Sequence, residues 1–121
     1  MSVLTKIFGG GKTEETEKKL VQVTRRSSVK AEIITLRNQE QQYILQIAEL
    51  DQQKQELTNH TTLVIEQIVN AQGNEKVRLK EQLNYLIAKI NTIDTKITRL
   101  ERRLAVVQAR IAELSKTIKE F

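Results

Sequence analysis

From Leu79 onward the apolar residues fall at steps of four and three without a miss: Leu79, Leu83, Leu86, Ile90, Ile93, Ile97, Leu100, Leu104, Val107, Ile111, Leu114, Ile118 and Phe121. Steps that alternate in this way average 3.5 residues, the repeat of a left-handed coiled coil, with d at Leu79 and a at Leu83. The run covers 43 residues, a helix of roughly 65 Å at 1.5 Å per residue. One apolar stripe of that length cannot face water along its whole course. A chain built this way must supply a covering helix from its own sequence or from another copy.

The first half contains such a helix, with a less regular stripe. Val29, Leu36, Tyr43, Leu50, Leu57, Val64 and Ala71 are seven residues apart, and their companions are Ile33, Glu40, Ile47, Lys54, Thr61 and Ile68. Three of these six companions are polar, so the seam is mixed on this side and fully apolar on the other. Burying Glu40, Lys54 and Thr61 without partners costs a few kcal/mol each, unless the long stems snorkel outward. The pattern predicts helix one over 13–70, opened by Glu14, Glu15 and Glu17 where acids favour a helix N-terminus.

Ala71-Gln72-Gly73-Asn74 separates the two halves. Gly suits a left-handed helix stop and Asn the next N-cap. We therefore expect a turn at 71–74, helix two at 75–121, and an antiparallel register pairing residue i with about 146 − i. The alternative is one continuous helix, since a single Gly costs only about 1 kcal/mol. In the hairpin, residues 13–24 overhang. A second set of small and apolar residues on helix two, Ile87, Ala88, Ala105, Val106, Ala109 and Ala112, cannot share the same covering helix. The expected fold class is all-α: a long antiparallel two-helix coiled-coil hairpin with a short amphipathic N-terminal segment. With so thin a core for its length, such a hairpin is expected to complete itself with identical copies, using the Leu79 to Phe121 stripe.

Composition agrees and excludes several chemistries. The chain has no Pro, Cys or Trp, and 3% aromatic residues. Lack of proline removes the strongest helix breaker. Lack of cysteine removes disulfides, thiol nucleophiles and thiolate metal sites. No stretch reaches the roughly 18–20 apolar residues of a membrane span. Gly11-Lys12-Thr13 resembles the end of a phosphate-binding loop, but Lys6 stands where that motif needs Gly, and no strand precedes it. His60 is the only histidine, with no carboxylate cluster near it in sequence. We expect no enzyme activity, no metal and no cofactor.

The opening MSVLTKIFGGGK differs from everything after it. On a helix, Val3, Leu4, Ile7 and Phe8 share one face, a small amphipathic anchor on a glycine tether over 1–12. Partial burial of four such side chains in a lipid interface gives marginal binding, and stable attachment needs a second signal. Basic residues supply one: Lys6 and Lys12 beside the anchor, then Lys18, Lys19, Arg25, Arg26, Lys30 and Arg37. Near an anionic leaflet each adds about 1 kcal/mol. The formal net charge is +5, distributed as +4 over 1–30, −4 over 31–74 and +5 over 75–121.

The same twelve residues resemble the N-terminus of the ESCRT-III proteins, the charged multivesicular body proteins of the Snf type. These begin with a Met-Ser-apolar segment, a Lys-apolar-Phe-Gly core and a Gly-rich stretch ending in Lys. A basic first helix, a tight turn and a long second helix are also that family's hairpin. The resemblance implies a filament-forming subunit on the cytosolic face of a membrane, which it bends or severs, with itself, an anionic membrane surface and related subunits as partners. By it, Val3, Leu4, Ile7 and Phe8 anchor the chain and the basic residues of helix one face lipid. The family's further short helices and acidic tail, which serve autoinhibition and ATPase recruitment, have no counterpart in these 121 residues. The heptad here is also more regular than that family's. The phage-shock-protein A scaffolds are a neighbouring resemblance. Two other readings share the heptads: a coiled-coil adaptor or chaperone hairpin of the secretion-stalk kind, which needs no anchor, and a basic coiled coil that binds nucleic acid. The second is disfavoured by acids interleaved in helix two and by few stacking aromatics.

Overall fold

The structure, a computed structural model, describes residues 11–120, with side chains over 17–120. It contains two helices, α1 (Gly11–Asn70) and α2 (Gly73–Glu120), packed as an antiparallel hairpin. α1 begins two residues before the expected Thr13, so Gly11 and Lys12 belong to the helix. The expected amphipathic segment, with Val3, Leu4, Lys6, Ile7 and Phe8, lies outside the described residues.

The heptad accounts for burial residue by residue. The twelve expected seam positions on α1, from Val29 to Ile68, and Ala71 just after it are buried or half-buried, and every other side chain from Glu17 to Asn70 is exposed. On α2 the expected stripe from Leu79 to Ile118 is likewise covered, together with half-buried Asp94, Ser115 and Thr117; Phe121 lies outside the described residues. Packing groups the chain into two units: Gln39–Val106 at the turn end, and α1 up to Asn38 with α2 from Val107. In the first, Val64 is 1% exposed and packs with Leu79 and Leu86, with Leu57, Ile68, Ala71 and Leu83 around them. In the second, Ile33, Val107 and Leu114 are the buried side chains.

Three cross-helix contacts fix the register. Lys54 meets Asp94, His60 meets Gln82, and Glu32 meets Arg110. The expected partners were Thr92, Leu86 and Leu114, so the contacts lie two to four residues from their expected places. The predicted cost of polar seam residues is largely avoided. Lys54 keeps 40% of its side chain exposed and reaches Asp94 Oδ1 at 2.7 Å. The Thr61 hydroxyl donates to the Leu57 carbonyl four residues back, at 2.8 Å, which satisfies it without help from α2. Glu40 is half-buried.

The turn is tighter than expected. Only Ala71 and Gln72 lie between the helices, and the Ala71 amide donates to the Ile68 carbonyl at 3.2 Å, closing α1 with a narrower i to i−3 turn. α2 therefore opens on Gly73 rather than Glu75. Gly73 has φ 63°, in the left-handed region, which costs a residue with a Cβ about 1–2 kcal/mol. Nothing lies within 4 Å of where that Cβ would sit. The penalty of Gly73→Ala is therefore conformational rather than steric. We expect Gly73→Ala to destabilise the hairpin by about 1 kcal/mol and Gly73→Asn by less, read by thermal melts followed by circular dichroism. Equal melts for all three chains would show that the turn does not need the left-handed residue.

Candidate membrane and assembly surfaces

The first candidate surface is the start of α1. Every side chain from Glu17 to Ser28 is exposed. Stepping the seam back by heptads from Val29 gives Arg26, Gln22 and Lys19. The row that is apolar along the hairpin is thus polar and basic in this stretch. Lys18 and Arg25 flank it on the same side at 100° per residue, Val21 and Val23 border the row, and Leu20 lies on the other side of the helix. All three are more than half exposed. Lys30 and Arg37, exposed in the same unit, rim a groove of about 460 Å³ with Lys119 around Ile33, Ile34 and Ile118. Of the membrane-facing residues expected from sequence, Lys18, Lys19, Arg25, Arg26 and Lys30 are therefore exposed on one helix, and the side chain of Lys12 lies outside the described residues.

The second candidate surface was the heptad of α2. Leu79, Leu86, Ile93, Ile97, Val107 and Leu114 are buried, and Leu83, Ile90, Leu100, Leu104, Ile111 and Ile118 half-buried, all against α1 of the same chain. This stripe holds the hairpin closed, and contacts between copies would have to use other faces. The second set does stay uncovered: Ile87, Ala88, Ala105, Val106, Ala109 and Ala112 are all exposed, Val106 at 70%.

Polar contacts flank the seam. Arg110 lies 3.4 Å from Glu32 across the hairpin and 3.2 Å from Glu113 on its own helix. Its hydrogen bond to Glu113, then the charge of Glu32, raise its pKa further above the ordinary value. Lys54 is raised above its ordinary 10.5 by its hydrogen bond to Asp94 and that group's charge. A raised folded-state value means the Lys54 contribution to stability is fully present below the unfolded lysine pKa and is lost only as pH climbs through the folded value. At neutral pH this pair is constant. Both pairs are exposed, so they orient the helices more than they stabilise them.

Sequence reading missed Asp94 as the partner of Lys54 and Glu32 as the partner of Arg110. The signal was present: with the heptads aligned antiparallel, Glu32 and Arg110 occupy matching g positions, as do His60 and Gln82. The Gln82 amide lies 3.5 Å from His60 Nε2, and His60 also lines a groove of about 570 Å³. Among the described residues no cluster of three or more His, Cys, Asp or Glu is placed to hold a metal, and no helix is long and apolar enough to cross a membrane. Comparison with protein-family models, curated proteins and solved structures gives no match for this chain.

Proposed function

We propose that the chain is a non-enzymatic scaffold subunit of ESCRT-III type, a helical hairpin that assembles with its own copies on anionic membranes and remodels them. The observation that carries this reading is the exposed start of α1, where the seam row becomes Lys19, Gln22 and Arg26, flanked by Lys18 and Arg25. A cationic row there is poorly suited to another apolar seam and well suited to acidic headgroups. Lys18, Lys19, Arg25, Arg26 and Lys30 together supply about 5 kcal/mol near an anionic leaflet, and repetition along a polymer multiplies the effect through avidity. The greasy residues 3–8 add the apolar half of the two-signal attachment.

The test is co-sedimentation with vesicles. Deleting residues 2–8 is expected to reduce pelleting with phosphatidylserine-containing vesicles at least tenfold while leaving helicity unchanged. Replacing Lys18, Lys19, Arg25 and Arg26 with Gln is expected to do the same. Binding that survives both changes, or that is equal on neutral phosphatidylcholine vesicles, overturns the membrane half of the proposal. Light scattering decides the assembly half: an adaptor hairpin would stay a discrete monomer or dimer at high concentration.

A further inference from the structure

We infer that the turn-end unit, Gln39–Val106, stacks copy on copy through two faces of opposite charge. This rests on the self-assembly proposed above and names the surfaces that carry it. A coiled-coil hairpin has two faces, one on each side of its seam. In this unit the contact between His60 and Gln82 marks the first. The register it sets places Gln53 opposite Lys89, Gln46 opposite Lys96 and Gln39 opposite Arg103. Gln53, Lys89 and Lys96 line one groove.

Three cations thus repeat every seven residues, roughly 10 Å apart along α2, with glutamines across from them. Among the described residues no carboxylate lies within 4 Å of Lys89, Lys96 or Arg103. Lys89 Nζ instead sits 4.9 Å from the centre of the Tyr85 ring. In the other unit, at the equivalent position, Arg110 does have an acid across from it, Glu32. The glutamine row leaves the Gln39–Val106 unit without that neutralisation. Glu56 also lines that groove, but it stays beyond ion-pair distance of Lys89 and Lys96.

The opposite face is acidic. Asp51, Asp94 and Glu101 occupy e positions there beside one cation, Lys80, near the turn, with Lys54 reaching Asp94 from the seam. Asp94 and Glu101 are also seven residues apart, so the two faces carry opposite charges on the same period. Ile44, Ile65 and Ile87 lie among these acids, 40–47% exposed. Leu63, Tyr85 and Val106 edge the cationic face and are 57–70% exposed. Each face offers apolar area with a charged row, and the two rows attract. A contact between unlike faces of identical subunits is heterologous and leaves a free face at each end, so it propagates into an open stack. The occupant of each face is a second copy of this chain.

Two variants test this without vesicles. Lys89→Glu/Lys96→Glu/Arg103→Glu makes both faces acidic, and Asp51→Lys/Glu101→Lys makes both basic. Under conditions in which the wild-type chain pellets, each variant alone is expected to pellet at least tenfold less, with helicity unchanged. An equimolar mixture is expected to pellet like wild type, because acidic and basic faces then alternate. The milder Lys89→Gln/Lys96→Gln/Arg103→Gln chain is expected to show a partial loss, and wild-type pelleting should fall as salt screens the rows. Wild-type pelleting by either charge-reversal variant, or a mixture that does not recover, overturns the face assignment while leaving assembly itself standing. A wild-type chain that never leaves the monomer or dimer sinks both. If the cationic-face variant pellets normally alone but no longer with phosphatidylserine vesicles, that face binds anionic lipid and the stacking assignment is wrong.

Discussion

Val64→Asp is expected to destabilise the hairpin by about 3–5 kcal/mol, the usual result of leaving an unpaired charge in an apolar contact. Val64 is 1% exposed, and its neighbours are Leu79 and Leu86 of α2 with Leu57, Ile68, Ala71 and Leu83 around them. None can pair with a carboxylate, and at this depth the group cannot reach water by turning outward. Small domains have only about 5–15 kcal/mol of stability in total, so this one change should separate α1 from α2 near the turn. The control is Leu45→Asp on the same helix, where the side chain is 62% exposed. There the same chemistry should cost within about 0.5 kcal/mol. Thermal melts of the two variants decide the matter; if they coincide, the seam does not run where it is described.

The second large effect has the opposite sign. Replacing Glu40, Lys54 and Thr61 together with Leu, Leu and Val should stabilise the hairpin by about 3 kcal/mol, near 1 kcal/mol for each half-buried site. A shift of roughly 10 °C in melting temperature would follow. Loss of the Lys54 to Asp94 pair subtracts little, because both groups are more than a third exposed and such pairs contribute little. The polar residues do other work: a polar group at an a position fixes register at some cost in stability. The filled seam should therefore also allow shifted pairings, visible as larger or heterogeneous species by light scattering. A melting temperature that stays level or falls would show that these side chains are better accommodated than their burial suggests.

The fold was legible because the α2 stripe is unbroken and because Gly73 is the one glycine after Gly11. Period and turn chemistry together leave one simple arrangement, and each of the thirteen seam residues foreseen in the first half of the chain is covered. The boundaries were less legible. The sequence suggested a 71–74 turn with Asn74 as N-cap and Glu75 as the start of α2, whereas Ala71 bonds back to Ile68 and the left-handed Gly73 follows after one more residue. Cap chemistry alone does not distinguish a two-residue link from a four-residue one. The candidate surfaces were read in part. Charge clustering picked out Lys18, Lys19, Arg25 and Arg26, but the glutamines opposite Lys89, Lys96 and Arg103 mean little until a register joins them. Exposed polar rows carry no periodic hydrophobic signal, and only pairing gives them a partner or denies them one.

The unequal seam has a consequence for which helix prefers which. α2 offers an uninterrupted row of Leu, Ile and Val, whereas α1 returns Glu40, Lys54 and Thr61 at three points. Judged by apolar match alone, α2 would rather zip with another α2. What keeps it beside the weaker mate is the two-residue link at Ala71 and Gln72, which holds α1 at a millimolar or higher local concentration. Nicking that short leash would free the stronger helix to choose its twin.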